Sequence, residues 1–236
     1  MADAAAEPLQ LSVIIPALNE AVAITTTLQA LQPLRARGHE IIVVDGGSHD
    51  LTVELSLPFA DRVIRTVAGR ATQMRAGAAL AAGSLLWFLH ADTTAPADAD
   101  RLIIQALQQK RTGWGRFDVQ LSRSRPLLKC VAWMMNQRSR LSGIATGDQG
   151  LFVTRALYDK VGGFPEIALM EDIAISRELR RHGRPAGIRQ PLVSSPRRWL
   201  KHGVLRTILR MWMLRLGYFL GVKPERLASY YAPHRS

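Results

Sequence analysis

Four short aliphatic runs, each closed by a proline, a glycine pair or polar residues, constrain this chain more than any other feature. They are LSVIIPA from Leu11, EIIVVDGG from Glu40, DRVIRTV from Asp61 and SLLWFLHAD from Ser84. Helical patterns lie between and after them. Glu20 to Leu31 carries Val22, Ile24, Leu28 and Leu31 at helical spacing, Ala71 to Ala82 is alanine-rich, and Ala97 to Lys110 sets Leu102, Ile103, Ala106 and Leu107 on one face. Strand and helix alternating at this pitch predict an α/β protein with a doubly wound, mostly parallel sheet. There is no internal repeat or low-complexity linker.

A chain of 236 residues, 47% hydrophobic and 21% charged, can bury a substantial core and is globular rather than disordered. The expected organisation is a disordered segment over 1–10, one domain over 11–200, and a C-terminal amphiphilic helix and tail over 201–236. Cys130 is the single cysteine, so an internal disulfide is excluded and a reducing compartment fits. The opening MADAAAEPLQ is acidic and has no positive segment leading into an apolar one, which predicts a cytoplasmic protein.

The formal net charge is +12. It admits nucleic acid, an anionic membrane surface or a polyanionic small molecule as partners. Basic residues crowd Ser122–Arg140, which has no acid, and Arg177–Arg215, whose single acid is Glu178, while most acids lie in the first half. A basic second half beside an acid-bearing first half fits a phosphate-rich ligand or a membrane surface. No RNP, zinc-finger or helix-turn-helix signature is present, so nucleic acid is not the expected partner.

In an open α/β sheet, ligands bind beyond the carboxyl ends of the strands. Three of the four runs end in PALNE, DGGSHD and HADT. Plain readings exist for each: Asn19-Glu20 as a helix cap with its first-turn acid, Asp45-Gly46-Gly47 as a turn, His90 and Asp92 as a strand running out into polar residues. Together they would bring acids to one crevice, and crowded carboxylates imply a cation or cationic partner between them. Neither a G-x-G-x-x-G fingerprint nor a P-loop is present.

Taken in order, VIIPALNE, IIVVDGGSHD, GRATQMRAGAALAAGSLLWFLHADT, GGFPEIALMEDI and RRW resemble the motifs of a family 2 inverting glycosyltransferase of GT-A fold, over Leu11 to Trp199; HADT, TGDQ, MEDI and RRW mark the most similar subgroup. The resemblance implies a nucleotide-diphosphate sugar donor, a UDP-sugar first, and a divalent cation, Mg²⁺ or Mn²⁺. It assigns Pro16, Asn19 and Glu20 to the first nucleotide loop, Asp45 to the base, and Gly69 and Arg70 to base and phosphates. Asp92 matches the last acid of the D-x-D metal motif, with His90 in place of the first and His202 as a further candidate ligand. Ala91, Gly147, Asp148, Gln149 and Glu171 fall to the donor sugar and acceptor, Asp172 to the general base, and Arg198 and Trp199 to the leaving diphosphate.

Residues 204–221, VLRTILRMWMLRLGYFLG, carry Arg206, Arg210 and Arg215, each costly at the centre of a membrane-spanning helix. On an ideal wheel Arg206 and Arg210 share a face and Arg215 lies about 180° away. A helix lying on a surface is expected, either that of its own domain or an inner membrane leaflet, with a lipid-linked or amphiphilic acceptor in the latter case. Two other classes remain open at this point: a nucleotidyltransferase on a similar sheet, and a basic non-catalytic module for anionic ligands or membrane.

Overall fold

The computed structural model describes residues 9–122 and 125–231, without the side chains of Arg198, Lys201, His202 and Tyr231. The expected disordered segment therefore falls almost wholly outside the described residues. The chain runs β1 (Leu11–Ala17), α1 (Ile24–Arg35), β2 (Glu40–Asp45), α2 (Thr52–Ser56), β3 (Arg62–Arg65), α3 (Arg70–Leu80), β4 (Leu85–Phe88), β5 (Thr93–Thr94) and α4 (Ala99–Lys110). It continues with β6 (Trp114–Leu121), α5 (Pro126–Ser142), a 3₁₀ turn (Gly147–Gln149), β7 (Phe152–Thr154), α6 (Arg155–Lys160), α7 (Glu171–Arg180), β8 (Ala186–Ser194), α8 (Arg197–His202), α9 (Val204–Phe219) and α10 (Pro224–Tyr231).

The eight strands form one mostly parallel sheet in the order β3-β2-β1-β4-β7-β6-β8-β5. All four expected strands are present, and β1 to β4 are mutually parallel wherever they pair. The second half of the sheet is mixed: β7 runs antiparallel to both β4 and β6, and β5 antiparallel to β8. Alternate residues of the central strands feed two apolar layers. Val13, Ile15, Val43 and Trp87 pack under α1 and α4, while Ile14, Ile42, Val44 and Phe88 pack against α3 and α7. Cover on both faces is why these strands read as unbroken apolar runs.

Helix α1 begins at Ile24, four residues later than the pattern predicts, and Val22 is 86% exposed. The reason lies in the neighbouring loop. Ser48 Oγ, Thr52 Oγ1 and Asp50 Oδ2 accept from the backbone N–H groups of Asn19, Glu20 and Ala21 at 2.9, 2.8 and 3.0 Å. Those tertiary bonds hold the segment as a loop and place α1 beyond it. Asn19 is accordingly no helix cap: its Oδ1 accepts from the His49 N–H at 2.9 Å, and its own φ is +54°.

The C-terminal helices are fastened to the domain. Leu214 packs with Ile144, Met170 and Ile173, and on the other flank Val204 and Ile208 pack with Leu128 and Val131 of α5. No helix among the described residues is long and apolar enough to cross a membrane.

Candidate functional site

The loops that follow β1, β2 and β4 meet α3, the 3₁₀ turn and the start of α7 at one side of the sheet. A crevice of about 640 Å³ opens there, between these loops and the pair α5 and α9. Pro16, Glu20, Gly69, Arg70, His90, Ala91, Asp92, Asp148 and Trp199 line it, so more than half of the residues expected at the site share one cavity.

Two loops are joined at its base. Asp45 is fully buried, and its carboxylate accepts from the N–H groups of Gly47 (3.0 Å) and Ser48 (3.1 Å) and pairs with Arg65 at 3.1 Å. Burial alone would raise its pKa; the bonds from Ser48, Gly47 and Arg65 outweigh it and hold the carboxyl below the ordinary range. Asp45 thus shapes the turn from within. Gln73, a residue of the GRATQ motif to which the resemblance assigns no role, is buried beside it and donates to Ala17 O and Val44 O at 2.8 Å each, tying the ends of β1 and β2 together.

The centre of the site is a chain of polar contacts. Arg70, the first residue of α3, reaches Glu171 Oε1 with Nε at 3.3 Å and lies with Nη2 against His90 Nε2. A guanidinium has only donors, so Nε2 is the acceptor and the ring proton sits on Nδ1, which faces Asp148 Oδ1 at 3.1 Å. In this arrangement neither ring nitrogen of His90 offers a lone pair to a cation. Gly147 lies against the same pair, and a Cβ there would collide with both Arg70 and His90. Its N–H donates to Asp172 Oδ2 at 3.0 Å, and the Ile173 N–H donates to Asp172 Oδ1 at 2.8 Å.

The two acids at the start of α7 therefore diverge. Glu171 is buried, and burial raises its pKa, Arg70 opposing and Asp172 adding to the rise. Asp172 is half-buried and borders a small cleft shared with Pro16, Arg70 and His90, beside the main crevice rather than on its wall. Met170, just before them, is buried with φ +69°, a left-handed conformation that a non-glycine residue seldom adopts and that clusters at functional sites. Gln149 is fully buried; its Oε1 accepts from the Thr146 N–H at 3.2 Å, so it closes the 3₁₀ turn from inside and does not face the crevice.

Two of the lining acids share a partner: Arg197 bonds Glu20 and stands 3.6 Å from Asp92 Oδ2. Burial raises the pKa of Glu20, with Arg197 opposing. Arg197 was not singled out in the sequence, although SPRRW holds two adjacent arginines; the side chains of Arg198 and His202 lie outside the described residues. Among the described residues no three His, Cys, Asp or Glu side chains gather as a metal set. Asp92 fits the simpler pattern in which one carboxylate holds a cation whose other ligands are substrate phosphates and water.

Several glycosyltransferases of known structure share this architecture. TarS 1–349 of S. aureus in complex with UDP-GlcNAc superposes with a TM-score of 0.62 at 17% identity, covering 79% of this chain and 58% of that one. Mannosyltransferase PcManGT of Pyrobaculum calidifontis, with GDP-Man and Mn²⁺, gives 0.60 at 21% identity, covering 79% and 56%. Glucosyl-3-phosphoglycerate synthase of Mycobacterium tuberculosis, with Mn²⁺, UDP and glucosyl-3-phosphoglycerate, gives 0.59 at 18%, covering 78% and 71%. The chain spans about three fifths of TarS 1–349. At these identities the likeness establishes the class of fold, GT-A. The family model goes further: "Glycosyl transferase family 2" matches residues 12–143, more than half of the chain, and the protein belongs to that family. None of the curated proteins matches the sequence.

Proposed function

We propose that this glycosyltransferase is an inverting enzyme that takes a nucleoside-diphosphate sugar, first among them a UDP-sugar, and transfers the sugar to an acceptor hydroxyl in the same crevice. The observation that carries the reading is the convergence of Arg70, His90, Asp148 and Asp172 on Gly147, beside the loops of β1 and β2. The UDP, UDP-GlcNAc and GDP-Man complexes among similar folds support the donor class. Family membership takes the place of the nucleotidyltransferase and non-catalytic readings.

Pro16, Glu20 and Gly69 border the donor, on a floor that Asn19 and Asp45 hold in shape, and Arg70 faces its phosphates, where a guanidinium pairs well with oxyanions. Asp172 takes the acceptor's hydroxyl proton as that oxygen bonds to the anomeric carbon. The bond from that carbon to the diphosphate oxygen breaks, its electron pair leaves with the nucleotide, and the configuration inverts. Asp148, oriented by His90, steers the acceptor hydroxyl, and Arg70 with Arg197 and Arg198 offsets the charge the diphosphate gains. Asp92 would hold a divalent cation, Mg²⁺ or Mn²⁺, which supplies further neutralisation of that diphosphate. The outward face of α9 rests on the anionic inner leaflet at the cytoplasmic side.

A calorimetric screen of nucleotide sugars with Mn²⁺, followed by anomer analysis of the product, tests the reading. Binding of one nucleotide sugar and a product of inverted configuration are expected, with transfer abolished by chelator. A retained configuration would sink the single-displacement mechanism, and full turnover in chelator would leave the diphosphate to the arginines alone.

A further inference from the structure

Two arginines of the crevice form no ion pair among the described residues. Arg138 of α5 donates from Nη2 to Thr146 Oγ1 at 3.3 Å, and its Nε is buried without an acceptor. Arg215 of α9 makes no hydrogen bond or ion pair among the described residues, and its Nε is likewise buried. Burial pushes the Arg138 pKa down to about 10, and the Arg215 charge presses in the same direction. The nearby acids are committed elsewhere. Asp118 serves both Arg116 and Arg140, Asp148 faces His90, and Asp172 accepts from two backbone N–H groups. Two like charges partly withdrawn from water with no ion-pair partner among the described residues are costly, and the usual remedy is an anion between them.

The walls around this pair are apolar. Met134 and Met135 of α5 face Met211, Trp212 and Phe219 of α9 across the cavity, and Trp212 and Phe219 reach its exposed rim. This arm is the α5–α9 side of the same crevice that Pro16 and Gly69 line, where the donor reading places the nucleotide.

We propose that the arm is the acceptor subsite, and that the acceptor is an amphiphile with an oxyanion headgroup, phosphate or carboxylate. The proposal rests on the glycosyltransferase reading for the word acceptor. The headgroup lies between Arg138 and Arg215, whose planar forks match either oxyanion. The hydrocarbon part runs along the methionines towards the rim, a surface of flexible, polarisable side chains suited to chains of varied shape. A hydroxyl beside the headgroup then points past Asp148 and His90 towards the cleft of Asp172, which His90 also borders.

The test titrates the full chain with dodecyl phosphate, dodecanoate, dodecyl maltoside and inorganic phosphate, each below its critical micelle concentration, with and without saturating UDP. Tryptophan fluorescence reads the amphiphile and calorimetry reads UDP. Dodecyl phosphate or dodecanoate is expected to bind at least tenfold more tightly than both dodecyl maltoside and inorganic phosphate, and UDP should not displace it. Arg215→Gln and Arg138→Gln should each weaken it tenfold or more, Arg215→Lys less, with UDP affinity unchanged. Equal binding of the maltoside would reduce the arm to an apolar groove. Equal binding of inorganic phosphate would make it a free-anion site, and displacement by UDP would return the arginines to the donor. Any of these overturns the proposal, as do variants that bind like the parent. Loss of UDP binding with amphiphile binding intact would instead sink the donor reading.

Discussion

At the scale of single residues, the site turns on how two adjacent acids are separated. Glu171 is drawn back to Arg70 at 3.3 Å and buried, whereas Asp172 turns to the Gly147 N–H at 3.0 Å and stays half-buried. A base must reach the acceptor proton from a fixed position, and a short side chain held by two backbone donors is well placed for that. Asp172→Asn keeps the shape and removes the basicity. It is expected to leave donor affinity near that of the parent and to lower turnover by on the order of 10²–10⁴-fold in single-turnover assays. Turnover retained in Asp172→Asn but lost in Asp148→Asn would move the base to the crevice wall, and loss in Glu171→Gln alone would move it one residue back. The neighbouring Gly147 leaves no room for a side chain between Arg70 and His90, a constraint of packing that the motif TGDQ does not reveal.

At the scale of elements, α4 is tied to the α1–β2 corner by one buried carboxylate. Asp100 accepts from Arg37 Nε and Nη2 at 2.7 and 2.6 Å and meets His39 Nε2 at 2.9 Å. Burial would raise its pKa, but the bonds from Arg37 and His39 outweigh that and bring it to about 2. Because the folded pKa lies below the unfolded value, the contact stabilises fully above about pH 4 and its contribution is lost as pH falls towards 2. Arg37 is partly exposed, so water screens the pair, and Asp100→Asn should cost about 1–2 kcal/mol at pH 7. Urea unfolding at pH 7 and pH 3 checks this: the gap between parent and variant should shrink at the lower pH, and an unchanged gap would assign the loss to packing. Helix α9 shows a different element-scale effect. Arg215, opposite Arg206 on an ideal wheel, lines the crevice together with Arg206 and Arg210, because the cavity extends along two flanks of the helix.

At the scale of the molecule, net charge and one helix face act together. Leu205, Leu209, Trp212, Met213, Leu216 and Leu220 are all exposed, and on the helical wheel they fall within an arc of about 100°. An apolar stripe of that kind on a chain of net charge +12 fits an anionic bilayer. The full chain is expected to sediment with phosphatidylglycerol vesicles and several-fold less with phosphatidylcholine, and to release as salt rises, since each surface arginine or lysine contributes about 1 kcal/mol at low screening. Leu209→Asp with Met213→Asp should abolish sedimentation without altering UDP affinity. Equal partition into both lipids would leave the charge without a role in docking.

The pattern of apolar runs determined, without any structure, that β1 to β4 exist and lie in a sheet covered on both faces, because that periodicity is local and sits in consecutive residues. The motifs also marked part of the crevice wall: Glu20, Arg70, His90, Asp92, Asp148 and Trp199 all line it. Tertiary structure decided the rest, since each remaining feature depends on groups distant in sequence. Helix α1 starts late because side chains of the β2–α2 loop and of Thr52, at the start of α2, hold the backbone of residues 19–21. Asp45 and Gln149 carry the right identities for a site yet point inward, because burial depends on what packs above them. Arg138 and Arg215 lie far apart along the chain, in helices whose apolar spacing says nothing of the partner facing them. Their two charges, without an ion pair among the described residues, come together only when α9 folds back on α5, and that approach is a tertiary event that no local pattern encodes.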